Sequence, residues 1–343
     1  MLCRALSFAA ALTARSPALC RSKTIMASAV LSEADRFAFD LNGFLVVRSV
    51  FSPEEVATAN AGIDAHTAEL QARVGDALRN ANEGTPLSAK GPRLDLGGML
   101  FWDQPHCDLF RNVLAHPKLV PYLNAFCGEG YRMDHQPIVI AQDRDSEGFM
   151  LHGGPISGDD GVPSGRFNPE LQYRCEGGHI WTTLLAVAVQ LVDHNPGDGG
   201  FCVLRGSHKL NLPVPLDVVN GVSEVFREHI HQPVTKAGDV VIWSEATVHG
   251  ATPWRGEQQR RIALYRFAPA NMGYGRGYLE IPTEKLAQLT PLQRAVLEAP
   301  YATRLERPLV TPEVAASGAA PHLKQRSEAK KDLDRKLFGT AYF

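Results

Sequence analysis

The chain has 343 residues, 44% of them hydrophobic, which is enough for a large core, and one all-β barrel with helical additions accounts for the length. A formal net charge of −2 provides no polycationic surface for nucleic acid or for an anionic membrane face. The six cysteines show neither CxxC spacing nor the density of a disulfide scaffold, so they read as reduced thiols.

Residues 1–25 contain Arg4, Arg15, Arg21 and Lys23 and no acid, and are rich in Ala and Ser. That is the composition of an organelle transit peptide, mitochondrial or plastid, and a start at Met26 would give a cytoplasmic form. The apolar run at 6–12 is far short of the roughly 20 residues of a membrane span. The organisation read from this is a targeting segment at 1–30, one domain over 31–317 and a charged tail over 318–343.

In chain order, residues 31–41 have helical spacing and lead into a short apolar strand at 43–47. Ser52-Pro53-Glu54-Glu55 is a capping box with Pro at the first helical position, and the helix it opens is expected to reach about residue 78. The polar, Gly/Pro-bearing stretch 80–98 reads as a loop that could cover a pocket mouth. Helical patches at 107–114 and 117–126 precede strand character at 131–141. Residues 143–178 are irregular and begin beside His152, and a loop of that length in a compact domain points to function. The apolar run 182–192 reads as a strand buried on both faces, followed by a turn at 195–200 and a strand at 201–204. A charged, helix-compatible stretch closes the chain near 328–331. Short strands with turn punctuation, preceded by helices, give a mainly β fold of the double-stranded β-helix, or jelly-roll, type.

The strongest chemical signal lies at 238–269. A β-branched strand at 240–247 ends on His249, a Gly/Pro-containing loop runs over 250–259, and a second strand opens on Arg260 and Arg261. Read as a hairpin, it delivers an imidazole and a guanidinium to one region. Imidazole suits Fe, Cu, Ni or Zn, and a guanidinium in a core needs a carboxylate or phosphate. A metal beside an anionic organic co-ligand follows.

The succession His152-Gly153-Gly154, then Asn195-Pro196-Gly197-Asp198-Gly199-Gly200-Phe201, then Arg205-Gly206-Ser207-His208-Lys209, then His249 with Arg260 eleven residues on, resembles the phytanoyl-CoA dioxygenase family of iron(II)/2-oxoglutarate oxygenases. The resemblance covers roughly residues 41–305. It implies Fe(II) on His152 and His249, 2-oxoglutarate on Arg260 or its neighbour Arg261, and O2 with a small-molecule substrate. Strand alternation lets only one of the two arginines face inward. The family often places Ser or Thr two residues after the second histidine; here Ala251 stands there and Thr252 follows.

One departure matters. Family members hold iron by a His-x-Asp pair and a second His, and this chain has Gly154 at the Asp position. Three alternatives stay open. Another carboxylate, Glu245, Asp159 or Asp160, fills the gap; on an extended strand, Glu245 would stand about 13 Å from His249, at about 3.3 Å per residue. A halide occupies the vacancy, as in related halogenases. The protein is a metal-free, cupin-like binding module. Hydroxylation is the outcome the resemblance implies first. His208 reads as a structural hydrogen-bonding group, as do His179, His194, His229 and His231, while Arg205, Tyr265 and Arg266 form a candidate cluster for substrate anions.

Overall fold

The computed structural model describes residues 31–75, 78–157, 166–168, 170–274, 280–300, 307–323 and 326–340. The proposed targeting segment and the candidates Asp159 and Asp160 lie outside these.

The first helix, α1 (Glu33–Asn42), starts on Ser32 and stops at Gly43, whose φ of 80° ends the helix and turns the chain into strand β1 (Phe44–Val47). The capping box at Ser52 and Glu55 forms, but α2 (Pro53–Ala65) ends well before residue 78. Beyond it the chain packs as β2 (Gln71–Ala72) against β3 (Leu94–Leu96), which leaves Val74 exposed rather than inward. Tertiary strand pairing overrides a helical pattern that has no glycine or proline between Gly62 and Gly75 to mark the stop. Two short helices follow, α3 (Asp108–Asn112) and α4 (Val120–Cys127).

The barrel strands are β4 (Arg132–Gln142), β5 (Phe149–His152), the hairpins β6–β7 (Ile156–Ser157, Arg166–Phe167) and β8–β9 (Tyr173–Glu176, His179–Thr182), then β10 (Leu185–Gln190), β11 (Gly200–Leu204), β12 (Ile230–His231), β13 (Val240–Ser244), β14 (His249–Thr252) and β15 (Arg260–Ala268). Seven strands form an antiparallel sheet in the order β1-β13-β10-β15-β4-β3-β2, and four form a second sheet in the order β12-β11-β14-β5. This is the jelly roll expected from the strand pattern.

The large sheet is buried on both faces. Leu185, Val187, Val189, Ile242, Tyr265 and Phe267 pack with α1–α4, whereas Ala186, Ala188, Val241, Trp243, Ile262 and Leu264 pack toward Phe201 and Val203 of the small sheet. Hence β10 has no polar alternation except its last residue, Gln190.

Residues 249 and 260 do not belong to one hairpin. β14 pairs with β11 and β5 in the small sheet, and β15 pairs with β10 and β4 in the large one. The intervening loop is shorter than expected because 249–252 is strand, and it carries the chain from one sheet to the other. The stretch 80–98 is pinned rather than loose: the Met150 amide donates to the Asn80 carbonyl at 2.8 Å and Gly148 to Leu87 at 2.8 Å. In the tail, His322–Leu323 pairs with Pro308–Leu309, and a helix covers Glu328–Phe338. No helix among the described residues is long and apolar enough to cross a membrane.

Candidate metal centre

His152 ends β5 and His249 opens β14, and the two residues are direct cross-strand partners. Their ring centroids lie 4.2 Å apart. Each ring is oriented by its own backbone: His152 Nδ1 is 3.0 Å from the Met150 carbonyl oxygen and His249 Nδ1 is 2.7 Å from that of Thr247. A carbonyl accepts only, so both Nδ1 atoms carry the proton and both Nε2 lone pairs are left for a metal. Burial, reinforced by the neighbouring His249 ring, pushes His152 down to about 3, and burial lowers His249 as well. Both imidazoles are therefore neutral, the form that ligates.

Glu245 completes the group. Its Oε2 lies 3.4 Å from His249 Nε2, and ligand atoms of His152, Glu245 and His249 all fall within 4.8 Å of one another. The extended-strand distance does not apply, because β13 ends at Ser244 and the Thr247 amide donates to the Ser244 carbonyl at 2.8 Å. That turn folds residues 245–248 across the gap between the sheets and brings the carboxylate back over the ring. Arg266 Nε donates to Glu245 Oε1 at 2.8 Å. Burial alone would raise Glu245, but Arg266 outweighs it and holds the carboxyl at about 2.

The glycines after His152 now have a reason. A Cβ on Gly153 would stand 2.5 Å from the Glu245 carbonyl oxygen and 2.8 Å from that of Thr247. Gly154 has a φ of +97°, which L side chains rarely adopt, so the chain there is shaped for glycine. The Glu245 carboxylate reaches the histidines from the facing turn.

Two cavities meet at His135, His152 and Arg266. One, of about 470 Å³, runs past His249, Trp243 and Phe201 to Arg260 and Arg93. The other, of about 390 Å³, lies on the Glu245 side. Both have the size of small-molecule sites.

Strand parity decides between the paired arginines. Arg260 shares the inward face with Ile262, Leu264 and Arg266 and is buried in the larger cavity, where its Nη1 donates to Gln142 Oε1. Its Nε has no partner among the described residues. Burial, together with the nearby positive charge of Arg93, pushes its pKa down to about 10. Arg261 faces the helices instead, pairing with Asp64 of α2 at 2.7 Å, and so is not a co-ligand anchor. Thr252 is also displaced from that role: its hydroxyl accepts from Gln232 Nε2 at 2.6 Å and it does not line the cavity. The supposed anion cluster disperses, because Arg205 is exposed and Tyr265 donates to the Phe110 carbonyl under the helices, leaving only Arg266 at the site.

The glycine-rich turn serves Arg260. Gly200 has a φ of +81° and a Cβ there would lie 2.8 Å from Arg260 Nε, so the guanidinium lies where a side chain would have been. Arg93, bonded to Asp95 through Nε at 2.7 Å and lining the same cavity, was hidden in the stretch read as a loop. His208 stays structural in position: its Nε2 is 3.0 Å from the Asp40 carbonyl oxygen, and Tyr173 packs edge-on at 4.3 Å.

A double-stranded β-helix thus carries, between its sheets, two imidazoles and a carboxylate placed to hold a divalent metal ion. Residues 163–262 match the family model described as phytanoyl-CoA dioxygenase (PhyH). That match spans under a third of the chain, within the barrel that carries the site. Among solved structures, the chain is similar in fold to HygX from Streptomyces hygroscopicus bound to nickel, 2-oxoglutarate and hygromycin B, with a TM-score of 0.56, 21% identity, and coverage of 72% of this chain and 90% of that one. The iron-bound form of HygX gives a TM-score of 0.55 at 19% identity, covering 75% and 94%. No curated protein matches the chain in sequence.

Proposed function

We propose that the protein uses Fe(II) held by His152, His249 and Glu245, and 2-oxoglutarate anchored by Arg260, to hydroxylate a small organic or lipid-like substrate with O2. The observation that carries this reading is the convergence of three ligand atoms at the junction of two cavities, one of which contains a buried guanidinium with no carboxylate partner. Iron with 2-oxoglutarate supplies oxidising power by coupling the decarboxylation of the keto acid, to succinate and carbon dioxide, to the use of O2.

The protein's own share is orientation. Two backbone carbonyls fix the imidazole tautomers. Arg266 engages one oxygen of Glu245 and leaves the other toward the metal position. Arg260 aligns a dicarboxylate along the larger cavity, while Trp243, Phe201, Ile262 and Leu264 keep its walls dry. With a carboxylate in reach, the halide alternative loses its premise.

Anaerobic addition of Fe(II) and 2-oxoglutarate tests the reading. A weak visible charge-transfer band is expected, lost in Arg260→Ala; absence of metal uptake by the wild-type chain would refute it, and a chloride-dependent band would favour the halogenase. The acid-free N-terminus further supports organelle delivery, checked by whether residues 1–30 carry a fluorescent protein to mitochondria or plastids.

A further inference from the structure

The cavity on the Glu245 side contains an imidazole with no part in the reaction above. We propose that His135, oriented by Asp134, is a substrate-binding residue that accepts a hydrogen bond from a hydroxyl group, so that the substrate is an alcohol with an apolar face rather than a bare acyl chain or a fatty acid. The inference rests on the metal-site reading, because both cavities open on that centre.

Its origin is a local fault in the sheet. Opposite β15, strand β4 is irregular twice, once between the partners of Leu264 and Arg266 and again between those of Arg266 and Phe267. Such bulges re-aim side chains. Adjacent strand residues ordinarily point to opposite faces, yet here Asp134 Oδ2 lies 2.9 Å from His135 Nδ1. Asp134 is itself buried and fixed: its Oδ1 accepts from Arg132 Nη1 at 2.7 Å and from the Tyr274 amide at 3.0 Å. Burial would raise its pKa, but the close His135 ring, the Tyr274 amide and Arg132 outweigh this and keep it a carboxylate.

A carboxylate oxygen 2.9 Å from Nδ1, although off the line of a good hydrogen bond, favours the Nδ1–H tautomer by charge and leaves Nε2 as an acceptor. Nδ1 is the buried nitrogen, whereas the side chain as a whole is 35% exposed and lines both cavities. His135 is also the register partner of Arg266, the residue that holds Glu245. His135 thus stands where the two cavities meet, with His152 in the same walls, and its acceptor asks for a donor.

The candidate donors separate on charge. An ammonium group would face Arg266 and the cation, and an anion would meet the Nε2 lone pair. An apolar chain would strip water from the imidazole and return nothing, at a cost of about 1–3 kcal/mol. A neutral hydroxyl satisfies the lone pair without a charge conflict. The remaining walls, Leu151, Ile156, Leu171, Leu184 and Val248, are aliphatic and suit the hydrocarbon face of such an alcohol.

The test uses the full chain loaded with Ni(II) and 2-oxoglutarate, with octan-1-ol, cyclohexanediol and octanoate as probes in ligand-observed NMR. The alcohols are expected to bind and octanoate not to. His135→Phe and Asp134→Asn should weaken alcohol binding about tenfold or more, the equivalent of about 1.4 kcal/mol, with 2-oxoglutarate affinity unchanged. His135→Gln, which keeps an acceptor, should recover part of it, and nitrogen shifts of labelled histidine should show Nδ1–H in the wild type and its loss in Asp134→Asn. Equal or tighter binding of octanoate, no binding of either alcohol at millimolar concentration, or alcohol binding indifferent to His135→Phe overturns the inference alone. Failure of the wild-type chain to load Ni(II) and 2-oxoglutarate overturns the metal site and this inference with it.

Discussion

Replacing Arg260 by Met should move stability and ligand affinity in opposite directions. In the ligand-free protein the guanidinium is buried without a counter-ion among the described residues, and the fall in its pKa from 12.5 to about 10 corresponds to about 3 kcal/mol of unfavourable burial and repulsion from Arg93. Methionine removes that cost but leaves Gln142 Oε1 without its donor, about 1 kcal/mol in the other direction. The net expectation is a ligand-free protein more stable by about 2 kcal/mol, or roughly 4 °C in Tm for a chain of this size. Affinity for 2-oxoglutarate should collapse, because two charge-assisted hydrogen bonds to its distal carboxylate are worth about 3 kcal/mol or more, beyond about a hundredfold in Kd. Thermal unfolding without ligand and calorimetric titration of the Ni(II)-loaded protein with 2-oxoglutarate measure the two effects. A lower Tm with unchanged affinity would show that the arginine is a structural element and that the proposed co-ligand pocket is wrong.

Other expectations follow from the same coordinates. Glu245→Gln should keep the fold but weaken Co(II) or Ni(II) binding about a hundredfold or more, as read by metal-competition titration; unchanged affinity would remove it from the site. Gly200→Ala should displace the Arg260 guanidinium and raise the 2-oxoglutarate Kd even though residue 200 itself touches no ligand. Arg261→Ala, which removes a partly exposed pair with Asp64 and side-chain hydrogen bonds to Gln259 and Asn60, should lower stability by about 1–2 kcal/mol and leave 2-oxoglutarate binding alone. His208 is held down to about 4, mainly by burial. The unfolded chain therefore takes up a proton that the folded chain refuses between about pH 6.5 and 4. Stability contributed by keeping this ring neutral is present above that window and drains away as pH falls through it. His208→Gln should flatten that part of the Tm profile; an identical acid slope in the variant would refute the assignment.

What the sequence disclosed depended on whether a residue's role was local. The Ser52 cap, the two-faced burial of β10 and the inward parity of one arginine follow from spacing, so they could be read without coordinates. The end of α2 could not, because no Gly or Pro marks residue 65 and the stop comes from β2 pairing with β3. Glu245 is one of the carboxylates the sequence offers, but extended-strand spacing argues against it because the turn at 245–248 contains no glycine or proline to signal it. Arg93 and His135 carry no motif at all. Their placement depends on a polar loop pinned at a distance and on strand bulges, features created by long-range pairing rather than by neighbours in sequence.

The turn that leaves β13 for β14 has a mechanical consequence. It belongs to neither sheet, yet through Arg266 it is tied to the large one and through His249 it runs into the small one. An ion seated there would act as a rivet through both layers, so that slippage of one layer over the other would have to break coordination first, and chelators would loosen the barrel as a whole rather than merely empty a pocket.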